Sequence, residues 1–262
     1  QAGSTSPNFV NSSSANYVAW NWKAGGAAVS NTDGTVTSQV SANVDAGFSI
    51  VKWIGDGNAS ARVGHGISKP DMIITKSLTN INDWNVNHVG IPNEIIYLQS
   101  TNAAFSGGGT NGAFGYQSTN TSTTFGFTGG SSGVNNVNKL NSNYIAYCFH
   151  SVDGFSKMGS YTGTGATGNT IVTGFRPAFV MFKRASAGAT TGWFMLDNKR
   201  STGSVWDERL QADTSSAEAG PDSYTITTSS NGFEPTGSFA TFSGSNASGA
   251  TYIFMAFAAD PT

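Results

Sequence analysis

One passage of this 262-residue chain occurs twice. The segment 47–49 (Gly-Phe-Ser) recurs at 154–156, and the segment 69–76 recurs at 176–183, with the same offset of 154 − 47 = 107 residues. A repeat of this length has the size of an ordinary β-sandwich domain. Because a duplicated passage is more typical of scaffold than of a single active site, the sequence predicts two tandem modules.

A shorter pattern marks where each module closes. The segment 143–147 (Asn-Tyr-Ile-Ala-Tyr) recurs at 250–254, and a third copy, predicted to be a strand, stands at 17–22 with no repeat body before it. We therefore interpret residues 1–46 as a linker that carries the closing strand of a preceding repeat. Residues 47–150 form the first predicted module and residues 151–262 the second, and we expect the chain to be part of a longer protein.

The composition indicates an all-β fold. Charged residues make up 11% of the chain, whereas hydrophobic residues reach 38%, with 17 Phe, and Gly accounts for 33 positions. Thr and aromatic residues favour strands, and Gly and Asn favour turns. We predict two antiparallel β-sandwich modules, jelly-roll or lectin-like, that pack together.

Several functional classes receive no support from the sequence. A net charge of −2 without a basic cluster disfavours nucleic-acid binding, and no apolar run approaches the roughly 20 residues that span a bilayer. The three histidines have no metal-ligand spacing, so we expect no metal site, and no cofactor motif occurs. The single cysteine, Cys148, is predicted to be a small buried residue.

Two central strands are apolar on both faces. The segments 144–147 and 179–182 do not alternate between apolar and polar residues, as a strand with one solvated face would. We expect one face of each strand to lie in its own sandwich and the other face to contact the sister module.

Aromatic residues in polar or glycine-rich loops are the first candidates for a binding site. The candidate ligand-binding residues are Phe105, Phe114, Tyr116 and Trp206, together with the neighbouring acid Asp207. Loop aromatics stack on sugar rings or anchor protein partners. The alternative is that the loops fold back and bury these rings, and the sequence leaves both readings open.

A string of motifs along the chain resembles a known family. The motifs are Asn16-Tyr17-Val18-Ala19-Trp20-Asn21-Trp22, Tyr144-Ile145-Ala146-Tyr147-Cys148-Phe149, Gly159-Ser160-Tyr161-Thr162-Gly163 and Ser229-Ser230-Asn231-Gly232-Phe233. Together they resemble a repeat domain at the C-terminal end of tail fibres and other tail-associated structural proteins of marine and cyanobacterial tailed phages. The resemblance covers residues 17–261 and departs at 67–70 and in the glycine-rich stretch 105–116. That family has no assigned catalytic residues, so none is transferred.

The resemblance implies a phage virion adhesin that recognises a host cell-surface glycan without turnover. Its other expected partners are virion proteins, and its expected location is the tail or capsid surface; a homotrimer is left open. One alternative is a capsid decoration or tail-assembly protein. A second is a polysaccharide depolymerase that uses Asp197, Asp207 or Glu208 as acids. A concave polar cleft with one or two aromatic rings favours glycan binding, and a broad apolar patch favours assembly.

Overall fold

The computed structural model describes residues 12–106, 119–127, 134–187, 191–220, 224–236 and 244–258. In these ranges the chain forms eighteen β-strands and one four-residue helix, α1 (Val134–Val137). Every pairing between these strands is antiparallel, and the predicted all-β sandwich class is confirmed.

The first half of the chain builds a seven-stranded sheet, here called sheet A. Its strands are β1 (Val29–Asn31), β2 (Ser38–Asn43), β3 (Phe48–Ile54), β5 (Met72–Ser77), β6 (Asn85–His88), β7 (Ile96–Tyr97) and β9 (Asn143–Phe149). They lie in the order β1-β2-β3-β9-β5-β6-β7. A two-stranded sheet of β4 (Arg62–Gly64) and β8 (Thr124–Gly126) contributes Val63 and Phe125 to the core on one face of sheet A.

The second half builds a five-stranded sheet, here called sheet B, and a four-stranded sheet. Sheet B contains β10 (Ser156–Thr162), β12 (Pro177–Arg184), β13 (Phe194–Asp197), β15 (Leu210–Gln211) and β18 (Thr251–Ala258), in the order β10-β18-β12-β13-β15. The four-stranded sheet contains β11 (Ile171–Val172), β14 (Val205–Trp206), β16 (Ile226–Ser229) and β17 (Gly232–Pro235), in the order β11-β17-β16-β14.

Three hydrophobic cores result, and the middle one joins the two halves. In β18, Tyr252, Phe254 and Ala256 face the core that sheet B shares with the four-stranded sheet. The residues between them, Ile253 and Met255, face a core shared with sheet A, because successive side chains in a strand point to opposite faces. The prediction that the two-faced strands pack module against module is confirmed.

The two large sheets have a segment of strand order in common. The order β3-β9-β5-β6 in sheet A corresponds to β10-β18-β12-β13 in sheet B. In both, a buried tyrosine near the start of the central strand accepts a hydrogen bond from the backbone N–H five residues earlier. The distances are 3.0 Å from Lys139 N to Tyr144 and 3.0 Å from Ala247 N to Tyr252. The duplication itself stays a prediction from the sequence.

The predicted N-terminal linker is wrong in two respects. Residues 17–22 form no strand, and residues 29–43 are part of the first module, because β1 and β2 form a hairpin that pairs onto β3. The physical reason is burial: Val40 is 3% exposed and lies in the first core. A boundary at residue 47 would therefore cut through sheet A.

Cys148 lies in β9 and is fully buried against the first core, as predicted. Burial raises the pKa of its thiol to about 12, so the thiol stays protonated. The described ranges contain no helix with both the length and the apolar character needed to cross a membrane.

Candidate binding site

The residues at 17–23, here called the strap, lie across the junction of sheets A and B. The side chains of Trp20 and Trp22 are half-buried, whereas the residues between and beside them are exposed. Trp22 makes edge-to-face contacts with Phe149 at 5.9 Å, and with Phe179 and Phe257 at 6.0 and 5.5 Å between ring centroids. Buried and exposed side chains therefore alternate along the strap as they do in a strand, and its inward-facing residues pack against the middle core.

Asp197, at the end of β13, holds the strap to sheet B. Its Oδ2 accepts hydrogen bonds from Trp20 Nε1 at 3.2 Å and from Arg200 Nε at 2.7 Å. Its Oδ1 accepts from the backbone N–H groups of Lys199 and Arg200, each at 3.0 Å. Burial raises the pKa of Asp197, but the hydrogen bonds from Arg200 and Lys199 outweigh this effect and keep the pKa below its usual value.

Arg200 completes this polar cluster. Its guanidinium carbon lies 5.6 Å from the centroid of the Trp20 ring, within the range of a cation–π contact. Its Nη1 lies 2.7 Å from Glu218 Oε1, so the arginine is shared between two carboxylates. The edge of Trp20 is thus fixed by a hydrogen bond and its face by a cation, which orients the indole ring.

A cleft of about 490 Å³ lies between the strap and sheet B. We call it the strap cleft; its walls include Tyr17, Trp20 and Phe179, with Asn198 and Lys199 on the sheet B side. The volume falls in the range of roughly 300–1,000 Å³ that is typical of small-ligand sites.

Polar groups on the wall of the strap cleft remain available to a ligand. In the part of the chain that the structure describes, the side chains of Asn21, Asn198 and Lys199 make no hydrogen bond. Asn21 and Lys199 are exposed, and Asn198 is half-buried. An amide both donates and accepts, and an ammonium donates, so the cleft offers both kinds of group beside an oriented aromatic ring. This arrangement is suited to binding a polyhydroxylated ligand.

The comparisons with known proteins give one positive result. A family model described as a domain of unknown function, DUF7483, matches residues 1–261. The chain belongs to the DUF7483 family. No curated protein and no solved structure matches the chain.

Of the predicted loop aromatics of this DUF7483 domain, the two that the structure describes, Phe105 and Trp206, pack against different cores. Phe105 pairs with Ile95 in an isolated bridge, and its half-buried ring packs edge-to-face on Tyr97 at 5.1 Å. It therefore packs against the first core. Phe114 and Tyr116 lie outside the described residues, so their candidacy stays a prediction.

Trp206 is not a surface residue, and the expectation that it could stack on a sugar is wrong. It lies in β14, where it pairs with Ile226 of β16, and it is 1% exposed in the outer core of the second module. Its neighbour Asp207 is half-buried, with Oδ1 3.4 Å from Ser201 Oγ. The alternative reading, that the loop folds back and buries the ring, describes Trp206 correctly.

Asp197, one of the acids named for a depolymerase, does not have the environment of a general acid. Asp197 is 4% exposed and is held ionised by Arg200, whereas a general acid needs a raised pKa. The backbone N–H groups of Asp207 and Glu208 both donate to Ser201 Oγ, at 3.1 and 2.9 Å. Within the described ranges, no group of three or more His, Cys, Asp or Glu side chains could hold a metal ion.

The sequence contained a signal for the strap that the repeat pattern obscured. Three aromatic residues occur within six positions at 17–22, in a segment that no repeat body precedes. Asp197 gave no comparable signal, because its role depends on the fold, which brings it 3.2 Å from a tryptophan 177 residues away.

Proposed function

We propose that this DUF7483 domain binds a host cell-surface glycan in the strap cleft without chemical turnover. The observation that carries the proposal is the position of the oriented Trp20 ring in one concavity with the uncommitted amides of Asn21 and Asn198. Sugars present apolar ring faces and hydroxyl groups together, so aromatic stacking and amide hydrogen bonds are the interactions that recognise them.

The charges around the cleft favour a neutral or weakly charged glycan. Arg200 is paired with Asp197 and Glu218, so its charge is largely neutralised. Of the charged side chains that line the described cleft, Lys199 has no ion pair. A strongly acidic polymer would need several unpaired cations for its recognition.

The setting that we propose is the surface of a phage virion, in a tail fibre or related adhesin, and it rests on the resemblance of the sequence motifs. Each strap cleft would bind weakly, and several copies on one particle would supply avidity. Other virion proteins would be the remaining partners.

The test is a glycan array probed with the fluorescently labelled domain, followed by titration of the best glycan. We expect saturable binding that Asn198→Ala weakens about threefold to tenfold, since each lost hydrogen bond is worth roughly 0.5–1.5 kcal/mol. The control is Ile81→Ala, which alters a fully exposed residue outside the cleft and should bind like the parent. Equal affinities for the two variants, or no saturable binding on the array, would refute the proposal.

One observation favours assembly as a second function. Exposed aliphatic residues lie near one end of sheet A: Ile54 pairs with Asn143, Leu78 N donates to Asn143 O, and Leu140 lies just before the same strand. Ile54, Leu78 and Leu140 are 60%, 54% and 61% exposed. If this end contacts another virion protein, the variant Ile54→Ser, Leu78→Ser should keep its glycan affinity but lose incorporation into particles.

A further inference from the structure

A second cleft lies next to the strap cleft, between sheets A and B. It has a volume of about 430 Å³ and shares Trp20, Asn21, Trp22 and Phe179 with the strap cleft. We call it the inter-sheet cleft. The two clefts are therefore adjoining spaces with the strap as their common wall.

The walls of the inter-sheet cleft are apolar. Sheet A and the segments beside its strands contribute Ile50, Ile74 and Leu98, and sheet B contributes Met181, Met195 and Met255. No Asp, Glu, Lys, Arg or His side chain lines its described surface, and the amide of Asn21 stands at the shared wall. Methionine side chains are unbranched and flexible, so this lining can adapt to the shape of an apolar ligand.

The inter-sheet cleft lies beside the strap, where the two sheets also touch directly through the rings of Phe149 and Phe257, 6.2 Å apart between centroids. Direct hydrogen bonds between the modules occur near β6 and β7: Trp193 Nε1 donates to Tyr97 O at 2.9 Å, and His88 Nε2 lies 3.0 Å from Phe254 O. Trp22 contacts rings of both sheets, Phe149 of sheet A and Phe179 and Phe257 of sheet B, whereas Trp20 packs on Phe179. The two indole rings therefore form the strap side of the inter-sheet cleft.

An apolar space of this size is suited to a hydrocarbon ligand. Dry apolar cavities of about 150 Å³ already bind small hydrocarbons, and this cleft is larger and opens to a polar neighbour. We propose that the inter-sheet cleft takes one alkyl or acyl chain whose sugar headgroup occupies the strap cleft. The ligand is then a glycolipid rather than a free polysaccharide, an inference that rests on the proposed glycan binding.

The experiment is a titration of the domain with alkyl glucosides that share one headgroup and differ in chain length, from methyl to octyl, below their micelle concentrations. Binding is followed by tryptophan fluorescence, because Trp20 and Trp22 form the wall of both clefts. We expect the affinity to rise about fourfold for each added methylene until the cleft is filled.

A variant that fills the inter-sheet cleft tests whether the alkyl chain binds there. Ala212 lines the inter-sheet cleft and is half-buried, so Ala212→Phe should occupy the space and abolish the dependence on chain length while methyl glucoside binds as before. Ile74→Phe fills the same cleft from sheet A and serves if the first variant does not fold. The matched control is Val172→Phe, at a site that is 60% exposed and does not line the cleft.

The outcomes separate the two proposals. Binding of methyl and octyl glucoside with equal affinity overturns the glycolipid inference and leaves glycan binding standing. Binding of octanol as tight as that of octyl glucoside shows that the sugar contributes nothing, and then the glycan proposal fails as well. Retention of the chain-length dependence in both filled variants overturns the assignment to this cleft.

Discussion

At the scale of single residues, His88 uses both of its ring nitrogens, one toward the second module and the other toward a neighbouring residue of the first. Nε2 lies 3.0 Å from the carbonyl oxygen of Phe254, and Nδ1 accepts the N–H of Gly90 at 3.0 Å. The first contact needs a proton on Nε2 and the second needs none on Nδ1, so the network selects one neutral tautomer. Burial lowers the pKa of His88 to about 4, although the hydrogen bond to Phe254 and the charge of Asp71 oppose the shift.

This lowered pKa predicts an acid-sensitive fold. Between pH 6.5 and about 4, the unfolded chain binds a proton at His88 that the folded chain does not, so the free energy of unfolding falls as the pH falls. A shift of this size corresponds to roughly 3 kcal/mol across the window, with no further loss from this residue at lower pH. His88→Gln keeps a donor and does not titrate, so its stability should fall less over the same window.

The measurement is urea unfolding of both proteins at pH 7.0, 5.5 and 4.0. Comparing two variants of one chain cancels the contribution of the carboxylates and of His65, whose pKa burial also lowers to about 4. Val172→Ala, at a non-titrating residue that is 60% exposed, is the control and should follow the parent. Parallel curves for the parent and His88→Gln would show that this prediction is wrong.

At the scale of elements, the strap is held mainly by packing. Besides the contact with Asp197, hydrogen bonds at or near the strap run from Ser12 N to the Tyr17 hydroxyl at 2.8 Å, from Asn43 Nδ2 to Lys23 O at 3.1 Å and from Ser41 Oγ to Gly26 O at 2.7 Å. Without a ladder to a neighbouring strand, the position of the strap depends on the aromatic contacts of Trp20 and Trp22.

Trp22→Ala is therefore expected to destabilise the domain by about 3 kcal/mol, because it removes three aromatic contacts and leaves a cavity beside the middle core. Tyr17→Ala alters a strap residue that is 52% exposed and should change the stability by less than about 0.5 kcal/mol. Chemical denaturation of the two variants and the parent measures both values. A Trp22→Ala midpoint equal to that of Tyr17→Ala would mean that the strap does not depend on its indole rings.

The sequence predicted the buried strands well and the exposed segments poorly. Residues 144–147 and 179–182 were predicted as central strands and lie within β9 and β12, because their continuous apolar runs leave little choice. The strap was mistaken for a strand. Aromatic and polar residues alternate along it as they would in a strand, and this alternation does not show whether the backbone pairs with a neighbouring strand. β1 and β2 lie in the stretch that was predicted as a linker, because their largely polar sequences do not reveal that β2 pairs with β3.

The binding site was less predictable than the fold. Trp206 stands among polar residues in the sequence, yet it closes a core, whereas Trp20 stands in a predicted strand, yet it lines the strap cleft. The distinction depends on contacts between residues that are far apart in the chain, such as the one from Trp20 to Asp197, and no local pattern encodes them.

At the scale of the whole molecule, the middle core makes the two modules one cooperative unit. Sheets A and B bury apolar residues against each other over their central strands, including Met72 and Val86 from sheet A and Ile253 and Met255 from sheet B. Separating the modules would expose this entire face to water, at a free-energy cost proportional to its area.

We therefore predict a single calorimetric unfolding transition for the whole domain. Val86→Ala in the middle core and Val63→Ala in the first core both truncate fully buried valines, and each should lower the stability by about 1–3 kcal/mol without splitting the transition. Two resolved transitions, with Val63→Ala moving the lower or the upper one alone, would contradict this prediction.

The two-faced strands also bear on how domains of this kind can change over time. Every second residue of β18 serves one core and the residues between serve another, so a one-residue insertion there would exchange the two sets. A substitution on either face of β18 must fit the side chains of the core on that face, which are themselves closely packed. Descendants of such a domain would accordingly diverge first in the strap and the connections, and would acquire new ligands there while β9, β12 and β18 changed little.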